Sequence, residues 1–231
     1  MRICYFLTRN LYPYLLPAIM SLLDHNTPEK IYVFCEDDIF PYELPAMCQV
    51  INVTDQQYIS HDSPNWHNHF TWMGLVRIAL PKLLPDEDKI IQLDVDTIVC
   101  DSLLPIWNMD MGNNLMLAVD ERLGSYRIWG HERYFNLGVA VLNLAKIREE
   151  HFDDKLIREM NTRKYLYIGQ DIWNTIGYDR IGELPQRYNE FTATEEGTCP
   201  AIVHYAGTNT WWKQGIRRGE YYEKYRKFER N

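Results

Sequence analysis

Short apolar runs alternate with helical segments through the first ninety residues, and this alternation constrains the fold more than any other feature. The runs have the length and the β-branched and aromatic content of buried strands. They cover residues 3–7, 31–36, 48–53 and 89–93. Helical spacing of leucines predicts a helix over residues 13–24, and a second helix is expected over 72–80. Strands separated by helices are typical of a parallel α/β sheet.

The second half of the chain continues this pattern with a changed order. Strands are predicted over residues 115–119, 139–144 and 201–204, a charged helix over 145–162, and a short helix over 170–176. We see no internal repeat and no linker. The sequence therefore predicts one α/β domain over residues 1–216, followed by a tail over 217–231.

Composition excludes some classes of function. The net charge of −8 argues against a general nucleic-acid binder, because phosphate binding needs a basic face. No apolar run approaches the roughly 20 residues that span a bilayer, and we interpret the first apolar run as a strand rather than a signal peptide. Five cysteines without CxxC spacing are typical of reduced thiols, so we expect a cytoplasmic protein.

The tail differs from the rest of the chain. Residues 217–231 contain six Lys or Arg and three Glu, with four aromatic residues among them. Two interpretations stay open. The tail could form an amphipathic helix on the inner face of an anionic membrane, or a helix that packs its tyrosines on the domain.

Two carboxylates come directly after the strand at residues 89–93. Asp94 and Asp96 should emerge at the carboxyl edge of the sheet, where α/β proteins bind their ligands. If the backbone stays extended, both side chains point to one side and repel each other unless a cation lies between them. Mg²⁺ and Mn²⁺ prefer such oxygen ligands and often bridge to phosphates. A turn or a helix cap is the ordinary alternative for this pair.

A third ligand is expected from another strand end. His204 follows the apolar run at 201–203, and Gly207 comes three residues later. An imidazole there could complete a metal site, although a histidine after a strand is more often structural. The loop with His61, His67 and His69 has no cysteines or acids at useful spacing, so we do not favour a zinc site there.

Four segments together carry a resemblance to a known family. These are "LPKLLPDEDKIIQLDVDTIV", "YFNLGVAVLNLAKIR", "GQDIWN" and "HYAGTNTWWK", in this order along the chain. The sequence resembles the retaining glycosyltransferases of family 8 over residues 3–213. The resemblance implies a GT-A fold, Rossmann-like, with a mixed but mainly parallel central sheet and flanking helices. It also implies a UDP-sugar donor, Mn²⁺ or Mg²⁺ as cofactor, and transfer of glucose or galactose to a glycan, glycolipid or glycoprotein.

The resemblance assigns roles to individual positions. It implies that Asp94, Asp96 and His204 bind the metal, and that Gln170, Asp120 and Asp171 serve catalysis near the donor sugar. Further contacts to the donor are implied for Leu7, Thr8, Asn10, Tyr12, Arg77, Val95, Asn136, Gly207 and Lys213. For Asp171 the alternative is an acid in the first turn of a helix, and for Asn136 and Gly138 a turn that opens a strand.

Three positions depart from the family pattern. Arg9 stands in the first loop where the family has an acid, Gly169 replaces an Asp before Gln170, and Thr210 stands near a Lys position that Lys213 could serve instead. A UDP-sugar-binding relative without turnover therefore stays as an alternative. A nucleotidyltransferase is disfavoured, because that class begins with a glycine-rich basic loop and "FLTRNLYPYL" contains no glycine.

No strong nucleophile is evident among these positions. Retention requires a covalent intermediate or attack on the same face of the sugar, and the amide oxygen of Gln170 is neutral. We expect same-face attack by the acceptor hydroxyl, with Gln170 orienting the donor and with Asp120 and Asp171 bonded to sugar hydroxyls. Trp66, Trp72, Trp211 and Trp212 could stack on sugars, although core packing is the ordinary role of tryptophan. We expect the loop that contains His61, His67 and His69 to fold over the donor or to receive the acceptor.

Overall fold

The computed structural model describes residues 1–68, 70–121, 130–191, 199–207 and 211–230. Ten strands and eight α-helices are found in these ranges. The strands are β1 Arg2–Phe6, β2 Lys30–Cys35, β3 Cys48–Asn52, β4 Lys89–Leu93, β5 Thr97–Val99, β6 Met116–Asp120, β7 Phe135–Asn143, β8 Ile181–Glu183, β9 Glu190–Phe191 and β10 Ile202–His204. The helices are α1 Tyr12–His25, α2 Met73–Val76, α3 Leu80–Leu83, α4 Leu104–Trp107, α5 Leu144–Glu149, α6 Phe152–Thr162, α7 Ile168–Ile176 and α8 Gly219–Glu223.

Seven strands form the central sheet, in the order β3-β2-β1-β4-β7-β6-β8. Strands β3, β2, β1 and β4 are parallel, β7 runs antiparallel to β4 and β6, and β8 is parallel to β6. The predicted mixed, mainly parallel α/β sheet is therefore confirmed.

Both faces of this sheet are buried, which explains the continuous apolar runs in its strands. Ile91 and Leu93 of β4 pack in one core cluster with α1 and α4, and Ile90 packs in the other with α2, α3, α5, α6 and α7. The residues alternate between the two clusters because neighbouring side chains of a strand point to opposite faces.

A small second sheet adjoins the carboxyl end of β4. Its order is β5-β10-β9, with β10 antiparallel to β5 and parallel to β9. The chain leaves β4 at Leu93, turns through Asp94 to Asp96 and enters β5 at Thr97. The backbone between the two aspartates is thus a turn, the alternative named from the sequence, and the extended conformation is not adopted.

Two predicted helices differ from the structure. The single helix over 145–162 is wrong, because α5 and α6 are separated at His151, which adopts a left-handed conformation with φ of 52°. The break lets Ile147 and Phe152 reach the same core cluster. The helix predicted over 72–80 is α2, a 3-10 turn over Arg77–Ala79, and the start of α3.

The tail packs on the domain. Tyr222 in α8 and Tyr225 after it are buried in the same cluster as α1, and the Tyr205 hydroxyl donates to the backbone oxygen of Arg218 at 2.8 Å. Arg218 also forms a buried ion pair with Glu190 at 2.9 Å. Of the two interpretations of the tail, packing of its tyrosines on the domain is the one observed. Among the helices that the structure describes, none combines the length and the apolar character needed to cross a bilayer.

Candidate active site

Three potential metal ligands meet where the two sheets adjoin. One ligand atom from each of Asp94, Asp96 and His204 lies within 4.8 Å of the others. The Nε2 atom of His204 is 3.4 Å from an Asp96 carboxylate oxygen and 3.9 Å from one of Asp94. Within the described part of the chain, this is the one group of three or more His, Cys, Asp or Glu that could hold an ion.

Backbone pairing holds the three residues in place. The Asp94 N–H donates to the Gly138 carbonyl oxygen of β7 at 2.7 Å. His204 ends β10 opposite Thr97, and the N–H of the next residue, Tyr205, donates to the Asp96 carbonyl oxygen at 3.0 Å. The convergence therefore follows from sheet pairing between β4, β5, β7 and β10 rather than from sequence proximity.

The ring of His204 presents its Nε2 atom to the two carboxylates. Its Nδ1 atom lies 2.8 Å from the Asn189 amide oxygen, which can only accept, so Nδ1 carries the proton. In the neutral ring Nε2 then has a free lone pair, as metal binding requires. Burial alone lowers the pKa of His204, but the carboxylates of Asp96, Asp94 and Glu121 outweigh it, and the net shift is upward.

These donors fit a hard divalent cation. Carboxylate oxygens and an imidazole nitrogen are ligands that Mn²⁺ accepts, and bonds of about 2.1 Å would bring them to roughly the separations seen here. The electrostatics also favour a bound cation. The carboxylates stabilise positive charge next to His204 even though this residue is only 2% exposed.

A cleft of about 240 Å³ opens beside the aspartates. Its walls are apolar and aromatic at Phe6, Leu11, Phe70 and Trp211, and charged at Arg77. The Trp211 indole N–H is buried and has no hydrogen-bond acceptor among the described residues. A planar, partly apolar ligand would match this lining, and its anionic group could lie near the aspartates if a cation lay between them.

Arg77 holds one of the aspartates. Its Nη1 atom is 2.8 Å from an Asp94 carboxylate oxygen, while the other carboxylate oxygen of Asp94 faces His204. Val95, between the aspartates, is buried and lines the cleft. The structure thus brings Arg77 and Val95 to the cleft, as predicted for donor-site residues; their role in binding stays a prediction.

The first loop is tied to the end of β2. The Tyr12 hydroxyl accepts from the Glu36 N–H at 2.8 Å and donates to Asp37 at 2.9 Å. Arg9 makes two hydrogen bonds to the Asp37 carboxylate, at 2.8 and 2.9 Å, so its charge already has a partner within the protein.

Leu7, Thr8 and Asn10 are the other loop residues predicted to contact the sugar donor. Leu7 is buried, and its N–H donates a hydrogen bond to the Phe34 carbonyl oxygen at 3.1 Å. The Thr8 hydroxyl donates to the exposed Asn10 at 2.5 Å.

The predicted catalytic residues lie in different surroundings. Gln170, in α7, is half-buried, and its amide oxygen accepts from the Leu137 N–H at 3.1 Å. Asp171 is 1% exposed; its carboxylate accepts from the Tyr134 hydroxyl at 2.5 Å and from the backbone N–H groups of residues 166 and 167. Asp120 ends β6 and accepts from the Tyr134 N–H at 3.2 Å. Their catalytic roles stay predictions.

Several remaining residues are placed as follows. Asn136 and Gly138 lie inside β7, so a turn opening that strand is wrong for them. Gly207 has φ of +74°, a conformation that suits glycine, and Lys213 is exposed. Thr210 and His69 lie outside the described residues.

The sequence analysis missed Glu121 and Asn189. Both are buried and lie on one chain of side-chain hydrogen bonds. Asn189 donates to the Asn136 amide oxygen at 3.0 Å, and Asn136 donates to a Glu121 carboxylate oxygen at 2.8 Å. Gln170 donates to that same oxygen at 3.2 Å. Burial raises the pKa of Glu121, although the two amide donors and the charge of His204 act in the other direction.

A second cavity, of about 420 Å³, contains none of the predicted site residues. It lies between β5 and the tail, and its lining includes His25, Cys100 and Lys224. Two of its charged residues, Arg187 and Asp101, pair with each other at 2.6 Å. We therefore place the candidate active site at the smaller cleft.

Comparison with known proteins identifies the family. The sequence profile of "Glycosyl transferase family 8" matches residues 3–215. General stress protein A of Bacillus subtilis is 27% identical over 89% of this chain and 85% of its own length. Glycosyltransferase GlyE of Streptococcus pneumoniae is 26% identical over 85% of this chain and 53% of its own length.

Solved structures agree on the fold. The galactosyltransferase LgtC, crystallised with donor and acceptor sugar analogs, superposes with a TM-score of 0.72 at 20% identity and covers 100% of this chain and 97% of its own. At that identity the likeness concerns the fold, which is GT-A. The chain therefore belongs to glycosyltransferase family 8 and is a glycosyltransferase.

Proposed function

We propose that the protein transfers a hexose, glucose or galactose, from a UDP-sugar to a glycan, glycolipid or glycoprotein acceptor with retention and with the help of a divalent cation. One observation supports this most: Asp94, Asp96 and His204 converge beside a cleft whose other wall is aromatic. A nucleoside diphosphate has the matching chemistry, a planar base joined to an anion that binds Mn²⁺ or Mg²⁺.

The metal would be held by the two aspartate carboxylates and by Nε2 of His204. When bound, it would neutralise the negative charge of the departing diphosphate. Arg77 orients Asp94 through their ion pair and adds a positive charge to the same wall. Trp211 lines the cleft, and its indole N–H, unpaired among the described residues, would be available as a hydrogen-bond donor to a ligand that reaches it.

Gln170 and Asn136 would act on the sugar. Both amides are fixed in orientation, since the oxygen of Gln170 accepts from the Leu137 N–H and that of Asn136 from the Gly138 N–H at 2.8 Å. Fixed dipoles next to the anomeric carbon would stabilise an oxocarbenium-like transition state. The acceptor hydroxyl attacks on the face that the diphosphate leaves, and Asp120 bonds to a sugar hydroxyl.

The binding half of the proposal is tested by calorimetric titration of UDP with and without MnCl₂. We expect tight binding only with the metal, and loss of the metal effect in Asp96→Asn. The matched control is Asp55→Asn, because Asp55 is exposed in a distant turn after β3. If Asp96→Asn keeps its affinity and its metal requirement, the diphosphate is bound elsewhere.

The transfer half is tested by release of UDP from a panel of UDP- and GDP-sugars. We expect release from UDP-glucose or UDP-galactose that depends on Mn²⁺ and increases with a sugar acceptor. Metal-dependent UDP binding without release from any donor would contradict transfer and favour a binding module.

A further inference from the structure

Glu121 is a buried carboxylate with one oxygen that nothing in the described structure satisfies. It follows β6 directly and is 6% exposed. Its Oε1 atom accepts from Asn136 and from Gln170, at 2.8 and 3.2 Å. Its Oε2 atom is buried and has no hydrogen-bond donor among the described residues. A buried carboxylate oxygen without a partner costs free energy.

The side-chain amides of Asn136 and Gln170, which donate to Glu121, can each adopt only one orientation of their oxygen and nitrogen atoms. The Asn136 oxygen accepts from the N–H of Gly138 and from Asn189, so its NH₂ group must face Glu121. The Gln170 oxygen accepts from the N–H of Leu137, so its NH₂ group must face Glu121 as well. Backbone N–H groups can only donate, which fixes both assignments.

The same chain of hydrogen bonds leads to the metal site. Asn189 joins Asn136 to Nδ1 of His204, at 3.0 and 2.8 Å. Glu121 therefore lies at one end of a continuous path of side chains that has His204 at the other, and Gln170 joins the path at Glu121 itself. A substitution of Glu121 therefore affects both amides that are predicted to contact the sugar, those of Asn136 and Gln170.

Geometry alone does not require a carboxylate at this position. A single acceptor atom would satisfy Asn136 and Gln170, and the amide oxygen of a glutamine offers one in the same place. The charge is an added cost, and groups that cost stability without improving packing are typical of functional sites. The two amides that donate to Glu121 are the groups on which this charge can act most directly.

A side chain at Gly169, in α7, would be crowded by the neighbouring segment. A Cβ atom there would lie 3.3 Å from both the Gly74 carbonyl oxygen and the Ile78 side chain. The residue before Gln170 thus cannot carry a carboxylate without displacing these neighbours, whereas Glu121 reaches Gln170 from the end of β6.

We propose that Glu121 is a positioning residue that fixes Gln170 and Asn136 and, through its negative charge, polarises both amides toward the transferred sugar. A carboxylate that accepts a hydrogen bond from an amide NH₂ group attracts the protons of that NH₂ group. This polarises the amide and increases the negative partial charge on its oxygen. On the Gln170 oxygen, this charge would stabilise positive charge at the anomeric carbon. The inference rests on the proposed function in placing Gln170 next to that carbon.

Glu121→Gln removes the negative charge and keeps an acceptor oxygen for Asn136 and Gln170. Glu121→Leu removes both the charge and the acceptor. We expect Glu121→Gln to raise the Tm of the metal-free protein by roughly 2–4 °C, because an unpaired buried charge is gone. We expect it to lower kcat for UDP release from UDP-glucose or UDP-galactose about tenfold or more, with KM and the affinity for UDP and Mn²⁺ within twofold of the parent. Glu121→Leu should lower both Tm and kcat.

Two results would overturn the inference. One is a Glu121→Gln protein with kcat within twofold of the parent; the other is one whose Tm is equal or lower. Failure of the proposed function is recognised separately, as absence of Mn²⁺-dependent UDP binding in the parent. In that case the Tm comparison, which needs no substrate, still decides whether the charge at Glu121 is uncompensated.

Discussion

The imidazole of His204 lies directly against the backbone of Gly138. A Cβ atom on Gly138 would be 2.1 Å from Cε1 of His204 and 2.7 Å from Nε2, far inside contact distance. Gly138 also accepts the Asp94 N–H through its carbonyl oxygen, so this one glycine contacts two of the three potential metal ligands. Its role is to leave space for the ring in the middle of a strand, where glycine is otherwise unfavourable.

Gly138→Ala should therefore displace His204 and weaken Mn²⁺ binding about 10- to 100-fold, the usual effect of disturbing the support of a ligand. Calorimetric or fluorescence titration of Mn²⁺ measures this. The control is Gly219→Ala, since a Cβ on Gly219 would meet nothing within 4 Å. Equal Mn²⁺ affinity in the two variants would mean that the His204 ring is not a ligand.

Asn189→Leu should weaken Mn²⁺ binding to a similar extent, roughly 10-fold or more, because the Nδ1 proton of His204 loses its acceptor. Asn26→Leu is the matched control: Asn26 is also buried and accepts from the Leu103 N–H at 2.8 Å, but it is not part of the site. Both variants should lose stability in urea unfolding, and only Asn189→Leu should lose metal affinity. Loss in both, or in neither, would contradict a supporting role of Asn189.

Arg218→Met should lower the free energy of unfolding by about 3–5 kcal/mol, because it leaves Glu190 as a buried charge without this partner. Arg226→Met, in the same tail, breaks two more exposed pairs, with Glu223 and Glu229, and should cost much less because water screens such pairs. Urea unfolding of both variants measures the difference. Equal costs would indicate that the tail is not anchored through Arg218.

The stability difference between Glu121→Gln and the parent should depend on pH. The folded-state pKa of Glu121 is raised, so the folded protein holds a proton here more readily than the unfolded chain does. Below the ordinary pKa, near 4.5, the carboxyl group is neutral in both states and costs nothing. As pH rises past the folded pKa, the cost of the charge develops fully.

The groups that act on this titration are Asp120, beside Glu121, and His204, along the hydrogen-bond path. Urea unfolding at several pH values should show the advantage of Glu121→Gln largest near pH 8 and shrinking toward pH 5. An advantage that is constant over this range would contradict a raised pKa.

Much of the fold was predictable because the strands are buried on both faces and are read as apolar runs. The break between α5 and α6 was missed, although the sequence contains a signal for it. Lys146 and Arg148 near the end of α5 and Asp153 and Asp154 in the first turn of α6 are the charges that favour helix ends. Continuous amphipathic spacing concealed this boundary.

The convergence of the three potential metal ligands was predictable because they follow or end apolar strands, and sheet pairing brings strand ends together. Glu121 was not, because the pairing of β6 with β7 shifts between Ala118 and Val119. Such an irregularity changes which residue points to which face, so the pattern alone cannot tell Asp120 from Glu121. Asn189 lies between two short elements without any pattern, and only the structure connects it to His204.

The most direct test of the account is the anomalous scattering of a crystal grown with MnCl₂ and UDP. We expect one strong manganese peak in direct contact with Asp94, Asp96 and Nε2 of His204, with the UDP diphosphate on its open side and the base in the cleft lined by Phe6 and Trp211. A manganese ion bound by other residues, or UDP bound in the cleft with no ion between these three side chains, would contradict it.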